Sequence, residues 1–170
     1  MKQLILIIVV VCFGTFQLQA QADAELYNKA LAFKKERKCA EAIPVLLKLL
    51  ELKPDHSKAL NDIGWCYNET AQFAKAVPHL QKAIALDSTD ASAFGEIGYS
   101  YYSLQQYDLS VEHLNKANQF KPKTETTVYY LGLCYVKKNN KAEAVKKYNE
   151  LSLMNSSYAG KLLEEIKEMK

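Results

Sequence analysis

The sequence predicts an all-α fold in which helical hairpins stack into a solenoid, because one residue pattern recurs with a period of about 34 residues. An apolar residue precedes each repeated glycine, and no insertion interrupts the register. A unit of this length forms two helices that cannot bury their apolar faces alone, so neighbouring units must stack. The repeated glycines and tyrosines are Gly64, Gly98 and Gly132, and Tyr67, Tyr101 and Tyr135.

Apolar residues at the spacing of one helix face predict the first helix of each unit. In the third unit, Phe94, Ile97, Gly98 and Tyr101 fall on one stripe. Glycine inside a helix costs about 1 kcal/mol relative to alanine, so its place in the stripe predicts close approach of a second helix. That second helix carries small residues at fixed positions, such as Ala76 in the second unit.

The chain resembles the tetratricopeptide repeat family between Asp23 and Tyr158. The features that carry the resemblance are the apolar-glycine pair, the tyrosine that follows, and then alanine, leucine or an aromatic residue, and proline, all at the same period. The resemblance implies a right-handed solenoid of four helical hairpins. Its repeats are expected at 23–56, 57–90, 91–124 and 125–158.

Polar residues predict where the helices begin, and charge patterning predicts how the array ends. Asp55 and Asp90 are expected to cap the first helices that follow them. Residues 159–170 are expected to form a C-terminal capping helix, with Leu162 and Ile166 facing the solenoid and charged residues facing water.

The N-terminus resembles a secretory signal peptide. An apolar stretch runs from Leu4 to Phe16, and small residues follow at Ala20 and Ala22. A membrane-spanning helix needs about 20 apolar residues, which is longer than this stretch. The sequence therefore predicts that 1–22 is a signal peptide, that no permanent membrane span remains after cleavage, and that the mature chain is periplasmic or secreted.

Charge and motif content argue against several functional classes. The net charge is only +3 at pH 7, so binding to nucleic acid is not expected. No nucleophile elbow, phosphate-binding loop or zinc-protease motif occurs. His79 and His113 lie one repeat apart, are expected to be exposed, and stand too far apart to share a metal. The sequence therefore predicts no enzymatic activity, no cofactor and no metal site.

Three cysteines follow the signal peptide, and two of them are expected to lie close together. Antiparallel packing places Cys39 beside the first helix that carries Cys66, whereas Cys66 and Cys134 are two repeats apart. Two readings of the first pair stay open: a disulfide bond, or two small buried thiols.

In the family, the first helices line a concave groove, and the resemblance carries this groove over to the present chain. Trp65 is the only tryptophan, and tryptophan and tyrosine are the residue types enriched at binding hot spots. The alternative is a tyrosine-rich helix layer without a binding role. The candidate protein-binding residues are Tyr27, Leu31, Asn61, Trp65, Asn68, Tyr99, Tyr102, Tyr129, Leu133 and Val136.

The groove differs from that of family members that bind acidic chaperone tails. Those receptors hold the terminal carboxylate with lysine, arginine and asparagine side chains. Gly95 instead leaves room at mid-groove for an extended or helical segment. The positions of the clamp are occupied here by Tyr27, Leu31, Trp65, Ser92 and Glu96.

These observations together predict a non-enzymatic scaffold that binds a protein or peptide segment with apolar or aromatic side chains. Two alternatives stay open. The chain is a self-associating structural protein, in which the groove takes up the C-terminal helix of another copy to form a homodimer, or it is an accessory subunit of an envelope enzyme complex.

We expect export to remove the residues up to Ala20 or Ala22, because the apolar stretch is too short to remain as an anchor. Intact mass and N-terminal sequencing of the exported protein measure the cleavage point. Recovery of the full-length chain from membranes would contradict this prediction.

Overall fold

Residues 21–169 are described by a computed structural model, and they form α-helices joined by short turns. No β-strand occurs within this range, so the prediction of an all-α fold is confirmed. Residues 1–20, which carry most of the predicted signal peptide, lie outside the described residues. The helices are α1 (described over 21–35), α2 (Cys39–Leu52), α3 (Ser57–Glu69), α4 (Phe73–Leu86), α5 (Ala91–Ser103), α6 (Tyr107–Phe120), α7 (Glu125–Lys137), α8 (Lys141–Leu153) and α9 (Tyr158–Lys167).

The helices form two layers. First helices contact one another along the solenoid, α3 with α5, α5 with α7, and α7 with α9. Each second helix packs between its own first helix and the next one, as α4 does between α3 and α5. This alternation is the two-layered solenoid that the repeat period predicts. Within residues 21–169, none of the helices combines the length and the apolar character that crossing a bilayer requires.

The glycines of the first helices permit close contact with a leucine. A Cβ atom built on Gly64 would lie 2.4 Å from Cγ of Leu80 in α4, and one on Gly98 would lie 2.6 Å from Cγ of Leu114 in α6. Any larger residue would therefore push the two helices of the hairpin apart. This contact explains why glycine occupies the middle of a helix.

In the fourth repeat, the leucine that contacts the glycine comes from α9. A Cβ atom on Gly132 would lie 2.4 Å from Cδ2 of Leu162, and both Leu162 and Ile166 are buried. Leu162 follows Val128 by one full repeat period, so α9 occupies the place that a further first helix would take. The expected capping helix is therefore present and covers the last hairpin.

The turn inside each hairpin is held by its backbone. In the second repeat, the N–H of Gln72 donates to the carbonyl of Tyr67 at 2.8 Å, and Ala71 between them has a left-handed backbone with φ of 56°. A hydrogen bond that encloses a left-handed residue in this way ends many helices. The same bond recurs in each repeat, although the left-handed residue differs and is never glycine. The left-handed residues of the four turns inside the hairpins are Arg37, Ala71, Gln105 and Asn139.

The observed helix caps agree with the sequence-based prediction at one site and differ from it at another. Asp90 accepts hydrogen bonds from the backbone N–H groups of Ser92 and Ala93, as expected of an N-cap. The expectation for Asp55 was wrong: Nδ1 of His56 accepts from the N–H of Ala59 and caps α3 instead. Asp55 forms an ion pair with Lys82 at 3.0 Å.

The two second-helix histidines are half-buried, so the expectation that they are exposed was wrong. His79 stacks on Tyr67, with ring centroids 5.6 Å apart, and His113 stacks on Phe94 and Tyr101. Burial lowers the pKa of both imidazoles. They act as flat neutral rings between the two layers.

The cysteines among the described residues are buried free thiols. Cys39 and Cys66 belong to one apolar cluster of buried residues. Burial raises the pKa of both thiols. The expected proximity of these two residues is therefore present, while Sγ of Cys134 donates elsewhere, to Oγ of Ser110 at 3.1 Å.

Two glycines of α5 provide a matched test of the close helix contact. We expect Gly98→Ala to destabilise the fold by about 1 to 3 kcal/mol, because the new methyl group overlaps Leu114. We expect Gly95→Ala to stabilise it by up to about 1 kcal/mol, because no atom lies within 4 Å of its Cβ position and alanine favours the helix. Urea unfolding measures both variants, and equal midpoints would contradict the prediction.

Candidate functional site

Most of the predicted groove residues are half-buried on the first helices, and two are buried. Asn68 is 3% exposed and Leu133 is 6% exposed, so neither offers surface to a partner, and their assignment to the groove lining needs correction. Each lies where the next first helix covers it. The other eight predicted residues are Tyr27, Leu31, Asn61, Trp65, Tyr99, Tyr102, Tyr129 and Val136, of which Leu31 is exposed and the others are half-buried.

Tyrosine rings from three first-layer helices meet in one group, which we call the tyrosine cluster. It consists of Tyr99 and Tyr102 of α5, Tyr129 and Tyr130 of α7, and Tyr158 of α9. Ring centroids of neighbouring members lie between 4.7 and 5.6 Å apart. Such distances are typical of favourable aromatic pairs, so each ring restrains its neighbours.

Tyr130 is the centre of this cluster, and the sequence analysis did not include it among the groove residues. Its ring lies 4.8 Å from Tyr99, 5.3 Å from Tyr102 and 5.6 Å from Tyr129. Glu96, which holds the same position one repeat earlier, entered the sequence analysis only as a position of the absent carboxylate clamp and not as a candidate binding residue. Glu96 and Tyr130 share one position in successive repeats, and that position was the signal that could have identified them. Glutamate and tyrosine differ in chemistry, so a comparison of repeats did not reveal the position.

A regular contact joins successive first helices across the inner face, and we call it the repeat contact. The ammonium group of Lys34 forms an ion pair with Asp62, and the amide of Asn68 donates to Oε2 of Glu96 at 2.9 Å. The two pairs have the same separation in sequence. The rings of Tyr102 and Tyr130 meet at that separation too. One position of each repeat therefore contacts one position of the next, with a different chemistry at each step.

The side-chain amide of Asn68 forms hydrogen bonds through both its nitrogen and its oxygen. Its Nδ2 donates to the backbone carbonyl and to the carboxylate of Glu96, and its Oδ1 accepts from Oγ of Ser100 at 2.7 Å. A buried amide whose hydrogen-bonding groups are all paired fixes the orientation of the side chains that it contacts. Asn68 thus holds the Glu96 carboxylate in position from beneath.

Two adjoining cavities lie along the inner face. The first, of about 190 Å³, is lined by residues that include Gly95, Glu96 and Lys121. The second, of about 320 Å³, is lined by aromatic side chains and by Glu96, Glu69 and Arg37. Glu96, Thr126 and Thr127 border both, so the cavities are adjacent, and we call the two together the trough. The aromatic residues of the second cavity are Trp65, Tyr99, Tyr130 and Tyr158.

Burial favours the uncharged phenol at three members of the tyrosine cluster. Burial raises the pKa of Tyr130 and of Tyr129, and raises the pKa of Tyr102 to about 12. Nearby groups, including Glu165 beside Tyr102 and Tyr129, act in the same direction. Neutral rings of this kind present apolar faces and electron-rich π surfaces to a ligand.

Among residues 21–169, no group of three or more histidine, cysteine, aspartate or glutamate side chains could hold a metal ion. The inner face offers aromatic surface, hydroxyl groups and a few carboxylates.

Comparison with solved structures places this architecture among known folds. The part of MamA from residue 41 onwards, from Desulfovibrio magneticus RS-1, is 24% identical, with a TM-score of 0.74 over 78% of this chain and 75% of that chain. YrrB, described as a protein with an unusual peptide-binding site, is 18% identical, with a TM-score of 0.76 over 87% and 76% of the two chains.

A third similar structure contains a bound peptide. The first repeat domain of Spaghetti (RPAP3), bound to an HSP90 peptide, is 20% identical, with a TM-score of 0.64 over 67% of this chain and 90% of that chain. At these identities the likeness concerns the fold alone. Among curated proteins, none matches this sequence.

Sequence models of the family agree with the structure. Three models described as tetratricopeptide repeat match 27–91, 91–124 and 127–152. The matches follow one another along the hairpins of the solenoid. The chain therefore belongs to the tetratricopeptide repeat family.

Proposed function

We propose that this protein is an exported, non-enzymatic scaffold whose inner face binds a segment of another protein that presents apolar or aromatic side chains. Export rests on the signal-like segment 1–22. Protein binding is supported by the family, and by similar structures described with a peptide-binding site or a bound peptide.

The trough lined by Trp65, Tyr99 and Tyr130 is the observation that carries this proposal. Aromatic side chains bury much area with few rotatable bonds, and they dominate many protein interfaces. The packing of Tyr99 against Tyr130 restrains these two rings before a partner arrives, which lowers the entropy lost on binding. The open space above Gly95 extends the trough at the level of α5.

The trough suits a short segment better than a folded domain. Its two cavities together follow the inner face across α3, α5 and α7, as an extended strand or one helix would. The neutral phenols along this path fit a surface that recognises apolar and aromatic side chains.

We expect Trp65→Ala and Tyr99→Ala each to weaken binding of a captured segment by about 2 kcal/mol or more, because truncation of an aromatic side chain at a binding hot spot typically costs that much binding free energy. Segments are selected from a displayed peptide library with the mature chain, and affinities are measured by calorimetry at a temperature well below the melting point. Because both side chains are half-buried, we expect their melting temperatures to fall less than for a core residue such as Leu114.

Tyr148→Ala is the matched control. Tyr148 is a half-buried tyrosine on α8, in the outer layer, and does not line the trough. Its loss should leave affinity unchanged. Loss of affinity that tracks melting temperature in all three variants would show that the rings only stabilise the fold.

The homodimer alternative predicts a different result. If a second copy occupies the trough, the mature chain will dimerise as concentration rises, and Trp65→Ala will shift the equilibrium towards monomer. Sedimentation at several concentrations, with and without a selected peptide, separates a second copy from another protein as the partner.

A further inference from the structure

We propose that the trough binds a lysine or arginine side chain of the partner segment, with the carboxylate of Glu96 as its counter-ion and with Trp65, Tyr99 and Tyr130 as its aromatic surroundings. This inference rests on the proposed function, because it names the chemistry of one side chain in the bound segment. It follows from a charge that the solenoid leaves without a positive partner.

The repeat contacts show where a cation is missing. At the first step, the acid Asp62 receives the ammonium group of Lys34. At the next step, the acid Glu96 receives only the neutral amide of Asn68, at 2.9 Å. Among residues 21–169, no cation lies within ion-pair distance of Glu96, and its Oε1 accepts no hydrogen bond.

The surroundings of Glu96 increase the benefit of a cation. Burial raises the pKa of its carboxyl group, and the nearby carboxylate of Glu69 acts in the same direction. The Asn68 hydrogen bond and the more distant Lys34 oppose this effect. Arg37, the cation on the wall of the larger cavity, already pairs with Glu69 at 3.2 Å and is largely exposed.

The protein itself contains an example of the proposed contact. The ammonium group of Lys34 pairs with Asp62 and also lies over the ring of Trp65, 4.9 Å from its centroid. A carboxylate and an aromatic ring together hold a cation through charge and through the ring quadrupole. Glu96 with Tyr99 and Tyr130 repeats this combination one repeat later, where Asn68 takes the place of the lysine and a cavity of about 320 Å³ borders the carboxylate.

The partner is therefore a segment with one basic residue between apolar residues. Its flanking side chains would contact the aromatic walls, while its lysine or arginine reaches Glu96. An acidic segment would place like charge against Glu96 and Glu69, which disfavours binding.

Acetylated and amidated peptides Ala-Leu-Xaa-Leu-Ala, with lysine, arginine, norleucine or glutamate at Xaa, test this inference on the mature chain at pH 7.5. Trp65 is the only tryptophan and borders the cavity, so its fluorescence reports binding directly. We expect the lysine and arginine peptides to bind at least about tenfold tighter than the norleucine peptide. The glutamate peptide should bind most weakly.

Two variants assign the preference to Glu96. Glu96→Gln should bring the lysine peptide to the affinity of the norleucine peptide and leave the latter unchanged. Asn68→Lys supplies an internal cation in the position that Lys34 holds for Asp62, and it should remove the preference while Glu96 remains. Glu112→Gln, an outer-layer carboxylate paired with Lys116, should change nothing. Thermal melting checks that each variant is folded.

The outcomes separate this inference from the proposed function. Equal affinity for lysine and norleucine peptides, unchanged in Glu96→Gln, would overturn the basic-residue assignment and leave an apolar trough. A lysine preference that survives Glu96→Gln would overturn the role of Glu96. Absence of any peptide-induced change in Trp65 fluorescence or heat would overturn this inference alone if a library-selected segment still binds, and both proposals if no selected segment binds either.

Discussion

The contact of a first-helix glycine with a leucine from a neighbouring helix determines how the layers of this solenoid meet. At Gly64 and Gly98 the leucine belongs to the same hairpin, and at Gly132 it belongs to α9. Because a single methyl group would overlap the leucine, the contact fixes both the distance between helices and their rotation about their axes. That rotation in turn directs the opposite stripe of each first helix to the inner face, where the aromatic trough lies.

The chemical character of the inner face is set by which pair of residues forms the repeat contact at each step. The backbone geometry is the same at each step, but the pair changes from an ion pair to an amide and carboxylate, and then to two tyrosine rings. A uniform scaffold thus carries a graded surface, charged near α1 and aromatic near α7. The fold alone does not distinguish one solenoid of this kind from another, so this sequence of pairs is what sets the present inner face apart.

The fold could be predicted from the sequence because its determinants repeat. Glycine, tyrosine and the apolar stripe recur in identical register in the last three repeats, so the hairpins follow from periodicity, and the apolar and charged pattern of 159–170 predicts the capping helix. The site could be predicted only in part. Glu96 and Tyr130 share a position but differ in chemistry, so similarity between repeats did not mark them. Asn68 and Leu133 lie under the next first helix, a contact that depends on superhelical curvature. Asp55 lost its capping role to His56 because the backbone of the linker sets which side chain reaches the helix end.

The left-handed residues of the hairpin turns mark one equivalent, exposed position in each repeat. Arg37, Ala71, Gln105 and Asn139 are exposed, and backbone hydrogen bonds hold each of them in the same conformation. The side chain at this position is therefore free to vary, and the four sites form a row of equivalent points along one edge of the solenoid. Each repeat of a solenoid contacts only its neighbours, so a displacement of one repeat reaches a distant one only through the repeats between them. Probes attached to these four exposed points would therefore report a change in spacing one repeat at a time.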